Sequence, residues 1–434
     1  MADKLVRSLG RWTLAGLVLN GILGSGVYGL PSLVAAKVGP LAWVALVLAA
    51  GAIAVIVACF AEVASRFPGT GGPFLYTRVA YGDFVGVQVG WLQYLTRLAS
   101  MATNINLFAI YLAEFVPAVQ GWWGKAVAGV VLMSGLAWVN IRGVKSGAWM
   151  SNVLIVVKIV PLALFVIVGL GLVLARGAVE PAPGPPATAF AWADALMILI
   201  FAYGGFENAI VPLGEAKNPE RDAPFALFVA LVACAALYTG VQLVSTLTLI
   251  DPSQHPRPLA EAARVLVGPA GAVFMVMGAL LSLIGWFGGA MVATPRLTYA
   301  MAEDRVLPAV FSRVHERYRT PVFSIVLLAV ISMVLALSGG FLSNLTLSVA
   351  TRLVVYFLVC AAVPVLRRRD GRDRTVPPAR FRLPAAGVFW VAGCAFSLAM
   401  ATRMSQKEFL ILLLVGALAS ANWFLSRRGR ASWA

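Results

Sequence analysis

Glycines interrupt two apolar segments of the chain at matching places, and these interruptions are where polar chemistry can occur. They are Gly24-Ser25-Gly26 in the first segment and Gly204-Gly205 in the sixth, with Glu207 two residues further on. In hydrocarbon a helix satisfies its own backbone hydrogen bonds, so it unwinds only where the freed N–H and C=O groups meet a ligand, an ion or water. The pattern therefore predicts a binding site near the middle of a membrane.

The free ends of an interrupted helix suit a zwitterion such as an α-amino acid. The first amides of a half-helix attract a carboxylate, and unwound carbonyls accept hydrogen bonds from an ammonium. The expected donors are the amides of Ser25 and Gly26 with the Ser25 hydroxyl, and the expected acceptors are the carbonyls of Ile22, Tyr203 and Gly204. The alternative is that the glycines only allow helices to pack closely.

The composition is that of a protein embedded in a bilayer. It is 60% hydrophobic and 12% charged, with a mean hydropathy of +0.87, far more apolar than water-soluble proteins. Apolar runs long enough to cross about 30 Å of hydrocarbon predict twelve membrane helices. They lie at about 12–35, 40–63, 84–115, 124–141, 150–175, 192–213, 224–250, 270–295, 322–338, 342–366, 385–403 and 408–426. We expect the first run to remain in the protein, because no Ala-x-Ala cleavage site follows it.

The net charge of +16 is distributed unevenly between the two sides of the predicted membrane. Most of the 34 basic residues fall in connections on the same side as both termini, as the positive-inside rule requires of cytoplasmic loops. This predicts a multi-pass protein of the inner or plasma membrane with both termini in the cytoplasm. Arg367 to Arg369 are expected to contact anionic lipid at the cytoplasmic surface, and nucleic acid is excluded as a partner.

Cysteine and histidine give no sign of a disulfide framework or a metal site. The four cysteines lie in apolar spans without paired spacing, and both histidines lie in loops. The chain also lacks a phosphate-binding Gly-Lys-Ser/Thr loop, a His-Glu-x-x-His pair and a Gly-x-Ser-x-Gly turn. These observations exclude an ATP-driven pump and a membrane metalloprotease, and we expect neither enzyme activity nor a cofactor.

The connections between the spans are too short to fold as a separate soluble domain. The chain is therefore predicted to be a single all-α, polytopic membrane domain over residues 1–434. Two five-helix halves are expected at about 12–175 and 190–366, followed by two further helices at about 385–426. The repeat is inferred from the interrupted first and sixth helices, since no identity between the halves is visible.

Four motifs in the same order resemble the amino acid–polyamine–organocation transporter family across nearly the whole chain. They are Gly21 to Tyr28 in the first helix, Phe67 to Tyr76 after the second, Phe201 to Glu207 leading to Gly214 to Arg221, and Pro295 to Asp304 at the exit of the eighth. The resemblance implies a LeuT-like fold, with a 5+5 inverted repeat, broken helices one and six and two extra helices. It also implies an amino acid permease that works by alternating access.

The resemblance assigns roles to three further side chains. Phe201 lies where family members carry an aromatic residue that caps the substrate, and Trp286 lies where a second aromatic is common. Ordinary helix packing is the alternative for both rings. Lys158 takes the place of a sodium ion bound against helix one, where its ammonium can reach the carbonyls around Ile22 and Leu23. It is either a structural pin or a proton carrier.

Three other ionisable residues within the predicted spans need partners, because an unpaired charge is costly in a membrane. Glu207 is either a second proton carrier or a strut that holds the broken sixth helix. Arg97 either binds an anionic group on the substrate or pairs with Glu207 or Glu62. Arg97 and Arg352 lie outside the motifs of the family, and the role of Arg352 stays open.

These features predict a secondary active amino acid transporter that does not need sodium. Proton-coupled symport and amino acid exchange are both compatible with the sequence, and so are a monomer and a dimer. An ion or solute channel is the first alternative, which would require a continuous polar pore. An exchanger of amines, polyamines or other organic cations is the second alternative.

Overall fold

The computed structural model describes residues 10–67, 71–143, 148–184, 188–210, 213, 216–304, 306–370, 372–373 and 376–431. This part of the chain folds predominantly into α-helices joined by short connections. The helices are α1 (Arg11–Ile22), α2 (Gly26–Val38), α3 (Ala42–Ala64), α4 (Pro73–Tyr81), α5 (Asp83–Leu112), α6 (Trp122–Ile141), α7 (Ala148–Arg176), α8 (Ala189–Tyr203), α9 (Phe206–Ala209), α10 (Pro219–Thr248), α11 (Pro258–Val267), α12 (Pro269–Glu303), α13 (Val322–Ser338), α14 (Phe341–Arg368), α15 (Ala386–Ala401) and α16 (Gln406–Ala431).

Helices that are apolar around their whole circumference explain this architecture, because such helices are stable where hydrocarbon rather than water surrounds them. Seven helical segments of the described chain are long and apolar enough to cross a membrane. They are Gly26–Ala64, Trp122–Ile141, Val156–Arg176, Pro219–Thr248, Pro269–Glu303, Phe341–Arg368 and Gln406–Ser426. The protein is therefore a multi-pass membrane protein, and the count of twelve spans stays a prediction.

Both predicted helix interruptions are present. The first apolar segment is divided where α1 ends at Ile22 and α2 begins at Gly26, and the sixth is divided where α8 ends at Tyr203 and α9 begins at Phe206. At the second interruption Gly205 has a φ of +111°, a conformation that residues with a Cβ rarely adopt. The backbone conformation at position 205 therefore requires glycine.

Two short helices, α4 and α11, occupy stretches where the sequence pattern predicts only connections. Each has a proline in its first turn, where the missing amide costs no intrahelical hydrogen bond. Gly72, with a φ of +56°, turns the chain into α4. Prolines at these positions are a helix-start signal that the hydropathy pattern does not register.

The two interrupted helices lie against each other in the centre of the bundle. α1 packs against α9 and α2 packs against α8, so the two interruptions are neighbours. α5 and α14 pack along each other and α14 also contacts α8, while α10 packs against both α1 and α3. Towards the outside, α15 contacts α14 and α3, and α16 contacts α5. The fold thus surrounds the two interruptions with helices.

The arginine cluster at the end of α14 is held partly by the protein itself. Arg367 forms an ion pair with the fully buried Glu62 of α3, with Nε 2.6 Å from Oε1. Arg369 donates to the carbonyl of Val79 at 2.8 Å and to that of Ala80 at 3.2 Å. These two side chains therefore join α14 to α3 and α4, and the lipid contact of the cluster stays a prediction.

Candidate substrate-binding site

The start of α2 presents free hydrogen-bond donors at the first interruption. The first backbone hydrogen bonds of this helix run from the amides of Tyr28 and Gly29 to the Ser25 carbonyl, at 3.1 and 2.9 Å. Within the described residues, no backbone partner is found for the amides of Gly24, Ser25 and Gly26. The Ser25 hydroxyl is buried and has no hydrogen-bond partner among those residues either. These are the donors that a bound carboxylate would need.

The end of α1 is bound by side chains from two other helices. Lys158 of α7 is fully buried, and its Nζ donates to the carbonyls of Leu23 at 2.9 Å and Asn20 at 3.3 Å. This contact with the end of α1 is the one that we predict for Lys158 from the sequence. The Tyr238 hydroxyl of α10 donates to the Ile22 carbonyl at 3.1 Å. The Ile22 carbonyl, a predicted acceptor for the substrate, therefore already has one partner.

The second interruption offers carbonyl acceptors. The amide of Gly204 donates to the Phe201 carbonyl at 3.3 Å, whereas no hydrogen bond to the carbonyls of Tyr203 and Gly204 is found among the described residues. The Tyr203 hydroxyl donates to the Leu46 carbonyl of α3 at 3.0 Å. The side chain of Tyr203 thus anchors α8 to α3, and only its carbonyl is available to a substrate.

Close helix packing, the alternative explanation for the glycines, also applies at these positions. A Cβ atom at Gly26 would lie 2.8 Å from the Cα of Ala202 in α8, and one at Gly205 would lie 2.3 Å from the Gly21 carbonyl oxygen. The glycines therefore permit close packing at the same place where donors are free. A larger residue at position 26 would push α2 away from α8, so that substitution cannot test the carboxylate contact alone.

Two aromatic side chains border the interruptions, as we predict from the sequence. A Cβ atom at Gly24 would lie 3.1 Å from Cδ1 of Trp286, so this α12 side chain packs against the first interruption. Phe201 is buried near the end of α8, and the Arg352 guanidinium carbon lies 5.5 Å from its ring centre. This distance is typical of a cation–π interaction. Closure of either ring over a substrate stays a prediction.

Glu207 connects the second interruption to α14. Its Oε2 accepts from the Gly205 amide at 2.8 Å and from the Tyr356 hydroxyl at 3.2 Å, while Oε1 lies 3.1 Å from Nε of Arg352. Arg352 also reaches the Phe201 carbonyl, at 3.4 Å. These are the contacts of a strut that holds the broken helix, and the role as proton carrier stays a prediction.

Arg97 of α5 is buried without an ionic partner. It is 5% exposed, its Nε has no hydrogen-bond partner, and no ion pair involving it is found within the described residues. Of the two carboxylates considered as its partners, Glu207 pairs with Arg352, and Glu62 pairs with Arg367 and Arg66. Neither predicted ion pair of Arg97, with Glu207 or with Glu62, is found among the described residues. The other role expected for Arg97, contact with an anionic group on the substrate, stays a prediction.

Arg352, Tyr356 and Tyr238 also contact the interruptions, although none of them is predicted as a site residue from the sequence. For Arg352 a signal exists, because an arginine and a glutamate within membrane spans each need a partner, and Glu207 supplies it. Tyr356 lies one turn further along α14 and therefore on the same face. Tyr238 is one tyrosine in a long apolar helix, and only the packing of α10 against α1 reveals its contact.

The chain matches a known protein family over nearly its whole length, since residues 9–419 match the amino acid permeases. The chain belongs to the amino acid permease family. This permease is 28% identical to the methylthioribose transporter of Bacillus subtilis, over 96% of this chain and 93% of that protein. It is 26% identical to the serine/threonine exchanger SteT of the same organism, over 90% and 91% of the two chains. With the chloroplastic cationic amino acid transporter 9 of Arabidopsis thaliana it shares 29% identity, over 98% and 78%.

The family match confirms the resemblance to amino acid–polyamine–organocation transporters that the four motifs indicate. The family and these relatives are transporters rather than enzymes. A small-molecule amino acid substrate follows for this permease from its family. Among the described residues, the amides of Ser25 and Gly26 and the carbonyls of Tyr203 and Gly204, which lie at the two interruptions, are without backbone partners.

Proposed function

We propose that this permease is a secondary active transporter that carries an amino acid across the cell membrane by alternating access. The observation that carries the proposal is the pair of adjacent interruptions. One has free donors at Ser25 and Gly26, and the other has open carbonyls at Tyr203 and Gly204. An α-amino acid carries a carboxylate and an ammonium on one carbon atom, so it can bind both interruptions at once.

We infer further that transport does not require sodium. The Lys158 ammonium binds carbonyls at the end of α1 that a sodium ion would otherwise need as ligands. A sodium ion at about 4 Å from that ammonium would be repelled by about 4 kcal/mol at an effective dielectric constant of about 20. Proton symport, with Lys158 or Glu207 as carrier, and amino acid exchange are both compatible with this arrangement.

Alternating access in this proposal uses the interruptions as the flexible points of the central helices. Phe201 and Trp286 border these points and are the proposed aromatic gates. The proposed topology has twelve spans with both termini in the cytoplasm and two inverted repeats of five helices each. Rocking of one set of helices against the other around the interruptions would open the site to each side in turn.

Transport by the purified permease in proteoliposomes tests this function. Labelled amino acids would be screened with and without sodium, with and without a pH gradient, and with unlabelled amino acid inside the vesicles. Saturable uptake that internal substrate accelerates supports a carrier. Unitary currents in a planar bilayer would instead support a channel, and uptake of polyamines without any amino acid would support an organic cation exchanger. Empty liposomes are the control.

A further inference from the structure

A line of polar side chains runs along one face of α5. Gln93, Arg97, Ser100 and Asn104 follow one another at spacings of four, three and four residues, which keeps them on the same face of the helix. All four are buried, and none is more than 5% exposed. Polar residues on a buried face of a membrane helix are costly unless they have partners, and they commonly mark the path of a substrate.

Three of these four side chains have atoms without hydrogen-bond partners. Gln93 has none at Oε1 or Nε2, Arg97 has none at Nε, and Asn104 has none at Oδ1. Ser100, in contrast, is hydrogen-bonded to Ser348 of α14 at 2.8 Å. Buried polar atoms are paired in the great majority of cases. Several unpaired polar atoms on one helix face are therefore available to a ligand.

The C-terminal part of this face of α5 packs against α2, the second half of the interrupted first helix. Further along the same face, Leu107 packs against α2, where its Cδ1 lies 2.9 Å from the position of a Cβ at Gly29. One turn later the Tyr111 hydroxyl donates to the Tyr28 carbonyl at 2.9 Å. The polar residues Gln93, Arg97, Ser100 and Asn104 lie on the same face of α5, at positions before Leu107.

The same face also reaches the second interruption. The Ser100 hydroxyl lies 3.4 Å from Nη2 of Arg352, which is the residue that holds Glu207. Arg97 lies one turn before Ser100 and is close enough for electrostatic interaction with both Glu207 and Arg352. Arg97 is therefore a buried guanidinium one turn away from the contact between α5 and Arg352, the residue that joins α14 to the second interruption.

Among the described residues, the positive charges around the second interruption outnumber the negative ones. Arg97 and Arg352 are buried guanidinium groups, and Glu207 forms an ion pair with Arg352 alone. An amino acid with a neutral side chain is a zwitterion and leaves this excess unchanged. A cationic side chain would increase the excess, whereas an anionic side chain would reduce it and give Arg97 a partner.

We propose that Arg97 binds an anionic group on the side chain of the substrate, so that the permease prefers acidic amino acids to neutral and cationic ones. The inference rests on the proposed function, with the backbone donors at Ser25 binding the α-carboxylate and Arg97 binding the second anion. Gln93 and Asn104 supply further polar contacts along the same face of α5. A guanidinium suits this task because it can donate two parallel hydrogen bonds to a carboxylate.

Substrate competition in proteoliposomes tests the inference. Uptake of labelled glutamate or aspartate by the unmodified permease would be measured against unlabelled glutamate, serine and lysine. We expect kcat/KM for the acidic substrate to exceed that for serine by about tenfold or more, as one hydrogen-bonded ion pair requires, and lysine not to compete. Arg97→Gln should lose this preference, because glutamate uptake should fall by a larger factor than serine uptake does. Arg97→Lys should retain part of it.

The matched control is Arg264→Gln, since Arg264 is a half-buried arginine of α11 whose ion pairs involve Glu114 and Glu261. The Arg264→Gln variant should keep the same order of preference among glutamate, serine and lysine. An unmodified permease that prefers serine or lysine to glutamate overturns the inference while the proposed function stands. Equal loss of glutamate and serine uptake in a folded Arg97→Gln protein also overturns it. Uptake of no amino acid at all would overturn the proposed function as well.

Discussion

Replacement of Lys158 by methionine would remove the ammonium while nearly preserving the volume of the side chain. The carbonyls of Leu23 and Asn20, 2.9 and 3.3 Å from Nζ, would then lose this hydrogen-bond donor. A buried acceptor that loses its partner costs about 1–3 kcal/mol. Since α1 contributes to the substrate site, we expect Lys158→Met to lower the uptake rate by about tenfold to a hundredfold.

The measurement is initial uptake into proteoliposomes at matched protein density, with sodium or choline as the external cation. The unmodified permease should transport equally well in both. Lys407→Met is the matched control, because Lys407 is exposed at the start of α16, and it should leave uptake unchanged. Thermal melting in detergent would separate loss of activity from loss of folded protein.

The pH dependence of the Lys158→Met variant distinguishes the two roles of this lysine. If Lys158 carries the coupling proton, the variant should lose its response to a pH gradient in particular. If it is a structural pin, activity should fall by the same factor at every pH. Steep dependence on sodium in the unmodified permease would refute the whole interpretation, because an ammonium and a sodium ion cannot both bind these carbonyls.

Three further substitutions test other parts of the site. Ser25→Ala should raise KM about tenfold, because it removes one hydrogen bond to a charged group of the substrate. It should not lower the melting temperature, since the hydroxyl has no hydrogen-bond partner among the described residues. An unchanged KM would contradict this prediction. Phe201→Ala should raise KM much more than Phe201→Trp in uptake assays, and equal kinetics would indicate packing alone. Glu207→Gln should lower the melting temperature, because leaving Arg352 unpaired in the interior costs about 3–5 kcal/mol; an unchanged melting temperature would argue against the strut.

The positions of the helix interruptions could be predicted from the sequence because they depend on local properties. The small residues that begin at Gly24 and at Gly204 weaken a helix whatever it packs against. The apolar runs on either side of them require a membrane. The contact between Lys158 and the end of α1 could be predicted only through the resemblance to a known family. No spacing along the chain relates position 158 to position 23.

The partners of the intramembrane charges could not be predicted in the same way. The sequence indicates that Arg97, Arg352 and Glu207 each need a partner, but it does not state which residues meet. That choice depends on how α5 and α14 are rotated and aligned. The hydrogen bond between Thr96 and Thr351, at 2.7 Å, helps to set this alignment.

By itself the sequence determined that this protein spans a membrane many times, that two of its helices are broken, and that charges lie among its apolar segments. Those properties follow from composition, glycine positions and the cost of charge in hydrocarbon, all of which are local. Only the tertiary structure decided that Arg352 rather than Arg97 pairs with Glu207. Pairing between distant helices depends on their packing, and that packing leaves Arg97 without an ion pair among the described residues.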